Sequence, residues 1–122
     1  MKRLVVLLAC LILLHGCTSV FFRPQHAMVL TPARIGLAYQ DVYLPTPDGV
    51  RLHGWYLPAQ GEARGTLLFL HGNAENISTH IASVYWLPAQ HYNVLLIDYR
   101  GYGESTGTPT LPGLVPFTPL SV

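Results

Sequence analysis

The sequence has few charged residues and no concentration of positive charge. Lysine, arginine, aspartate and glutamate make up 11% of its 122 residues, whereas 50% are hydrophobic. A composition so low in charge excludes a disordered, self-repelling chain. The arginines are scattered, without the basic stripe and interleaved aromatic residues of a nucleic-acid surface. We therefore expect at most one folded domain and no nucleic-acid partner.

Patterns that bind metals are also missing. The six histidines form neither H-x-H nor H-E-x-x-H, and no cysteine and histidine stand at the spacing of a zinc site. The two cysteines, Cys10 and Cys17, both lie close to the N-terminus. The sequence thus predicts no metal, no cofactor and, once a leader containing Cys10 is removed, no disulfide.

The N-terminus has the layout of a secretory signal. Lys2 and Arg3 precede an apolar run of eleven residues, 4–14, and the small-residue exit His15-Gly16-Cys17 follows. The run is too short to span a bilayer as a permanent helix. We predict a signal peptide over residues 1–16; a buried core helix or an uncleaved anchor are the alternatives.

The rest of the chain is organised around residues 66–76, T-L-L-F-L-H-G-N-A-E-N. The apolar run 66–70 shows no polar alternation, which predicts a strand covered on both faces, as in a parallel sheet. His71, Gly72 and Asn73 then break the pattern. Glycine allows close approach of backbone, and the free N–H groups of a following helix favour negative charge, so this turn could hold an oxyanion. The alternative is an ordinary strand-to-helix turn.

Three more strands are predicted around this one. Residues 41–44 and 50–57 flank P-T-P-D-G, whose proline, aspartate and glycine favour a turn, so they should form an antiparallel hairpin at one sheet edge. Residues 93–97, N-V-L-L-I, form a second fully apolar strand. With a helix between them, the two apolar strands predict one right-handed parallel βαβ unit.

The crossover helix is predicted from apolar residues at helical spacing. These residues are Ile77, Ile81, Val84 and Tyr85. Asn76 or Ser78 is available as the N-cap, and Pro88 ends the segment.

We divide the chain into a signal peptide (1–16), a tether (17–38), a partial domain (39–107) and a proline-rich tail (108–122).

Three motifs in register resemble the α/β-hydrolase superfamily, in its lysophospholipase-like and serine-peptidase-like branch, which includes bacterial lipoproteins. They are D-G-V-R-L-H-G-W-Y-L-P (48–58), L-F-L-H-G-N-A-E-N (68–76) and L-L-I-D-Y-R-G-Y-G-E-S-T-G (95–107). The resemblance covers residues 36–114. It implies an α/β fold: the N-terminal part of an α/β-hydrolase sheet, with the antiparallel hairpin and one parallel βαβ unit, truncated before the nucleophile strand.

The resemblance also implies roles for the turn. In the family this turn supplies one oxyanion-hole N–H, which corresponds here to the backbone of Asn73, with Ala74 next to it. By similarity His71 and Gly72 shape the turn, and His71 is not the catalytic base. Dehalogenases and epoxide hydrolases are a weaker match, because they usually carry proline where this chain has Ala74.

Ser105 lies in G-E-S-T-G, a literal match to the G-x-S-x-G nucleophile elbow. An elbow needs a strand directly before the serine and a helix directly after it, and this sequence provides neither. We therefore interpret Ser105 as a loop serine and not the nucleophile. In the family the nucleophile, acid and base all lie further on, so Asp98 should be structural, pairing with Arg100 or capping a turn.

The segment L-H-G-C resembles the lipobox of bacterial lipoproteins, which implies lipidation at Cys17. His15 departs from the usual small or aliphatic residue of that motif. Thr18 follows the cysteine in place of aspartate, which by analogy implies the periplasmic face of the outer membrane. We expect the protein to bind the membrane through the lipid attached to Cys17.

The predicted function is the N-terminal fragment of a lipid-anchored serine hydrolase, lysophospholipase-like, whose full-length relative acts on an acyl, ester or lipid substrate. No charged residue follows Glu104, and prolines replace the next expected helix, which suggests a frameshift or premature stop. The fragment is expected to be inactive, with strand 66–70 left as an unpaired edge. The alternative is a non-catalytic envelope lipoprotein that acts as an interaction module.

Overall fold

A computed structural model describes residues 21–110. The signal peptide, Cys17 and residues 111–122 lie outside this part of the chain. The strands are β1 (Arg23–Pro24), β2 (Gln40–Pro45), β3 (Arg51–Leu57), β4 (Gly65–Leu70), β5 (Ala74–Glu75) and β6 (Tyr92–Ile97). Within residues 21–110 these strands are connected by the α-helix α1 (Ile77–His80) and by 3-10 helices at Pro32–Ile35, Ile81–Ser83 and Pro88–Gln90.

The main sheet has four strands in the order β2-β3-β6-β4. β2 pairs antiparallel with β3, β3 antiparallel with β6, and β4 parallel with β6. The hairpin turn is closed by the Thr46 N–H, which donates to Val50 O at 2.8 Å. This arrangement confirms the predicted hairpin at one edge and the single parallel unit.

The core lies on one face of the sheet. It is formed by Trp55 and Leu57 of β3, Val94 and Leu96 of β6, and the apolar residues Ile77, Ile81 and Val84 from the crossover. The prediction that residues 66–70 are covered on both faces is wrong for this part of the chain. Leu67, Leu68 and Leu70 are 40%, 45% and 42% exposed. β4 is an edge strand among residues 21–110, and its second face has no layer packed on it there.

The predicted crossover helix is shorter than its apolar spacing indicates. α1 ends at His80 and continues as the 3-10 helix Ile81–Ser83. Asn76 is the N-cap, as predicted, since its side chain accepts a hydrogen bond from the Ser78 N–H. Four β-branched residues between 77 and 84 weaken the helix. Tyr85, predicted on the apolar stripe, is consequently 51% exposed.

The described part of the predicted tether, residues 21–38, contacts the folded unit. β1 pairs in parallel with β5, and Phe22 is buried. Met28, Leu30 and Leu37 pack against the core. The buried Asn76 amide donates to the carbonyl oxygens of residues 25 and 27, both at 2.9 Å. Over these residues the segment is therefore part of the fold.

Candidate active site

The turn His71-Gly72-Asn73 lies at the C-terminal end of β4 and leads through β5 into α1. The His71 side chain is buried, whereas Gly72, Asn73 and Ala74 are exposed. A Cβ placed on Gly72 would meet no atom within 4 Å. Packing within the described chain therefore does not require glycine there, and the space above the turn is open to a ligand.

The backbone of the turn is held by three hydrogen bonds. The His71 ring nitrogen Nδ1 donates to Gly72 O at 2.7 Å. The Tyr102 hydroxyl donates to Asn73 O at 2.8 Å, and the Arg23 N–H donates to the same oxygen at 3.3 Å. The Asn73 side-chain amide donates to Phe21 O. The exposed turn is thus anchored by the buried side chains of His71 and Tyr102 and by the segment around β1.

His71 and Asp98 form a buried pair beneath the turn. Nε2 of His71 lies 3.1 Å from Asp98 Oδ1, and both side chains are fully buried. Nε2 makes no aligned hydrogen bond with this oxygen, so the two groups are in close polar contact only. One ring nitrogen faces the Gly72 carbonyl oxygen and the other the Asp98 carboxyl group, so the ring is held between the turn and the end of β6.

Asp98 also ties β6 to the start of α1. Its Oδ1 accepts from the Ile77 N–H at 2.9 Å, which is a capping interaction. The alternative pairing with Arg100 is wrong, because Arg100 binds Asp48 at 2.7 Å. The reason is position: Asp98 points into the core, whereas Arg100 lies in the following loop and reaches across to the hairpin turn.

An aromatic group surrounds His71. Its ring lies 4.7 Å from Tyr99, 5.2 Å from Tyr102 and 5.7 Å from His80, measured between ring centres. Burial raises the pKa of both tyrosines above the ordinary value, so their hydroxyls remain donors at neutral pH. Tyr102, the residue that bonds to the turn, was not among the residues predicted for the site. Its place in Y-R-G-Y-G, in the loop that follows a predicted strand, could have indicated that Tyr102 lies near the turn.

Similarity to known proteins extends over most of this chain. No protein-family model matches it. It is 36% identical over 118 residues to the uncharacterized protein YfhR of Salmonella typhi, covering 92% of this chain and 39% of YfhR. It is 42% identical over 88 residues to the alpha/beta hydrolase domain-containing protein WAV2 of Arabidopsis thaliana, covering 70% of this chain and 29% of WAV2. The Pyrococcus furiosus esterase Pf2001 superposes with a TM-score of 0.57 and 27% identity, covering 73% of this chain and 35% of the esterase.

The chain carries part of an α/β-hydrolase fold. The sequence similarity to WAV2 and the structural similarity to the esterase together indicate the α/β-hydrolase superfamily, as the three motifs predicted. The chain spans about two fifths of the length of YfhR and less of WAV2 and the esterase. The lysophospholipase-like branch and the lipid anchor stay predictions.

Ser105 lies in the loop after β6, and its hydroxyl both accepts and donates a hydrogen bond. Its Oγ accepts from the His53 N–H at 2.8 Å and donates to Asp98 O at 2.8 Å. The residue is 5% exposed, and residues 106–110 contain no helix. The hydroxyl therefore links β3 to the end of β6, and its hydrogen-bond partners within residues 21–110 are backbone groups.

A second polar cluster occupies the hairpin. His53 Nε2 lies 2.8 Å from Asp41 Oδ1 and 3.9 Å from Glu104 Oε2. The Trp55 indole N–H donates to the same Asp41 oxygen at 3.1 Å. The antiparallel register, which sets Asp41 opposite Trp55, was the signal that could have revealed it. These contacts tie the loop after β6 to the hairpin.

Among residues 21–110, no group of three or more histidine, cysteine, aspartate or glutamate side chains is arranged to hold a metal ion. The same residues include no helix of the length and apolar character needed to cross a bilayer.

Proposed function

We propose that this chain is the N-terminal part of a lipid-anchored serine hydrolase that cleaves esters or other acyl compounds, in the manner of lysophospholipases. The N–H groups at Asn73 and Ala74 would supply its half of the oxyanion hole. The observation that carries this proposal is the exposed turn at the end of β4, whose backbone is anchored by His71 and Tyr102. The likeness to an enzyme described as an esterase supports the substrate class.

The chemistry required of this turn is stabilisation of a developing negative charge. When a serine attacks an acyl carbonyl, the carbonyl oxygen becomes an oxyanion, and a positioned N–H lowers the barrier by about 3 to 4 kcal/mol. The second N–H in such sites comes from the residue after the nucleophile. We propose that nucleophile, acid and base belong to segments like those that form the remainder of the relatives, so that this chain alone is inactive.

Ser105 provides the test of inactivity. The 122-residue chain should not react with a fluorophosphonate probe, because the only serine in a nucleophile-like motif has its hydroxyl bonded on both sides. A matched Ser83→Ala variant, at an exposed serine, controls for nonspecific reaction. Labelling that disappears in Ser105→Ala but persists in Ser83→Ala would refute the assignment and make Ser105 the nucleophile.

The coding DNA provides the test of the hydrolase assignment. All three frames past codon 114 should be sequenced and searched for a strand followed by G-x-S-x-G, then aspartate, then histidine. A frame that continues with these elements would support a hydrolase whose N-terminal part is this chain. A gene without them in any frame would contradict it.

The lipid anchor is proposed at Cys17, which lies outside the described residues. Metabolic labelling with a radioactive fatty acid should mark the full chain and fail for Cys17→Ser, and the wild-type product should fractionate with the outer membrane. A Cys10→Ser variant should be labelled normally, because Cys10 lies within the predicted leader. Loss of label in that variant as well would contradict Cys17 as the modified residue.

The second candidate is a non-catalytic envelope lipoprotein that serves as an interaction module. The exposed leucines of β4 favour it, since an apolar strand edge pairs readily with another chain. A gene that ends here in every frame, together with silence toward the fluorophosphonate probe, would favour this function over the hydrolase.

A further inference from the structure

We propose that Tyr102 is a positioning residue of the oxyanion turn, and that it and His71 each fix the direction of one candidate N–H donor. His71 sets the N–H of Asn73, and Tyr102 sets the N–H of Ala74. The name oxyanion turn rests on the proposed function, whereas the fixed directions are properties of this chain's own backbone.

The first donor is set through the peptide that joins Gly72 to Asn73. This peptide is trans and planar, so its C=O and N–H point in opposite directions. Gly72 O accepts from His71 Nδ1 at 2.7 Å and therefore faces the buried ring. The N–H of Asn73 must then point away from that ring, toward the exposed side of the turn.

The second donor is set in the same way through the peptide that joins Asn73 to Ala74. Asn73 O accepts from the Tyr102 hydroxyl at 2.8 Å and from the Arg23 N–H at 3.3 Å. The Ala74 N–H consequently points away from both groups. Because the Arg23 bond is long, the tyrosine hydroxyl is the stronger of the two restraints.

The pairing of β1 with β5 agrees with this direction. The Arg23 and Gln25 N–H groups donate to Asn73 O and Glu75 O. In a parallel pair, alternate residues of a strand direct their backbone groups to the neighbour, so Ala74, between the two acceptors, directs its own groups away from β1. Its carbonyl oxygen accordingly faces the His80 ring, at 3.4 Å from Nε2.

Tyr102 is itself immobilised. Its side chain is fully buried, and its ring packs 5.2 Å from His71 and 6.0 Å from Tyr99 between ring centres. Its N–H donates to Tyr99 O at 2.9 Å. Donors aligned before the reaction are what an oxyanion site requires, because a peptide free to rotate would present its carbonyl oxygen to the negative charge. The loop after β6 thus supplies a part of the site that lies on the turn after β4.

The direct test measures the two N–H directions by residual dipolar couplings. The full 122-residue chain, labelled with 15N, is held in detergent micelles, which cover its apolar leader and the exposed leucines of β4, and is aligned in a stretched gel. In the wild-type chain, the couplings of Asn73 and Ala74 should fit the directions given above. In Tyr102→Phe, the Ala74 coupling should change while those of β6 stay constant.

Matched variants separate positioning from general packing. Tyr99→Phe removes a hydroxyl from the same aromatic group but keeps the ring that packs on His71, and it should leave both couplings unchanged. His71→Asn keeps an N–H donor near the position of Nδ1 and should preserve the Asn73 coupling, whereas His71→Leu should lose it. A folded Tyr102→Phe chain with an unchanged Ala74 coupling would overturn the proposal. If that variant does not fold, wild-type couplings that disagree with the two directions would overturn it instead.

Acetate distinguishes failure of this inference from failure of the proposed function. Acetate is a carboxylate probe for the two N–H groups, and it should shift both amide resonances in the wild-type chain. The Ala74 shift should be lost in Tyr102→Phe. In the discriminating outcome, the Ala74 coupling changes in Tyr102→Phe while acetate shifts neither amide resonance of the wild-type chain. That result would support the positioning role of Tyr102 and contradict the oxyanion role of the turn.

Discussion

The α-carbon of Gly103 packs directly against the buried carboxylate of Asp98. A Cβ at position 103 would overlap Asp98 Oδ2, and Gly103 has a left-handed φ of +51°. Asp98 is not free to move aside, because its other oxygen accepts from the Ile77 N–H and lies 3.1 Å from His71 Nε2. The loop after β6 therefore closes over the His71–Asp98 pair only if residue 103 is glycine.

Gly103→Ala should lower the free energy of unfolding by about 2 to 5 kcal/mol. The left-handed conformation costs about 1 to 2 kcal/mol for a residue with a Cβ, and the overlap adds a packing cost of about 1 to 3 kcal/mol. Urea unfolding measures the difference. Gly36→Ala is the matched control, since Gly36 has a φ of +73° and open space around it. Equal losses in the two variants would show that the contact with Asp98 costs nothing.

Ser105→Ala should reduce stability by about 1 to 3 kcal/mol, because it leaves the buried His53 N–H without its acceptor. The change is expected in the urea midpoint, with the slope of the transition unchanged. Ser83→Ala, at an exposed serine, should stay within about 0.5 kcal/mol of wild type. A Ser105→Ala chain as stable as the control would mean that the two hydrogen bonds contribute nothing.

The strands were predictable because their apolar patterns are local. The runs before His71 and Asp98 and the turn chemistry of P-T-P-D-G set β4, β6 and the hairpin. β1 was not predictable. Arg23–Pro24 has no periodic pattern, and its partner strand β5 is distant in sequence, since Arg23 pairs with Ala74, 51 residues away. The short α1 reflects four β-branched residues between 77 and 84, which the spacing of apolar residues does not take into account.

The site was predictable only as far as its backbone turn. The motif located Asn73 and Ala74, but not what holds them, since Tyr102 is 29 residues from Asn73 in sequence. Spacing also suggested Arg100 as the partner of Asp98, two residues away. The fold reversed that assignment by burying Asp98 beside His71. Contacts between loops from different strands leave no periodic signal, so the sequence alone could not supply them.

Arg100→Gln should raise the pKa of Asp48. Hydrogen bonds from Arg100 and then Thr46 hold this pKa at about 2. A depressed carboxyl pKa stabilises the folded chain above the unfolded pKa of about 4, and the contribution is lost as pH falls toward about 2. Carboxyl 13C NMR shifts follow the titration. Arg64→Gln, which removes a charge elsewhere on the surface, should leave the Asp48 titration in place. An Asp48 pKa unchanged by Arg100→Gln would contradict the assignment.

The exposed edge of β4 should make the chain without its leader associate. Leu67, Leu68 and Leu70 present apolar surface beside strand groups that no other strand within residues 21–110 pairs with, which is a template for pairing with another copy. We expect poor solubility or concentration-dependent sedimentation for residues 17–122. Leu68→Lys should reduce this association, because a lysine on an edge strand must be desolvated when another strand pairs with it. Leu57→Lys is no substitute, since Leu57 is fully buried and its loss would unfold the core. A wild-type product that is monomeric by sedimentation and melts cooperatively in calorimetry would count against an open edge at β4.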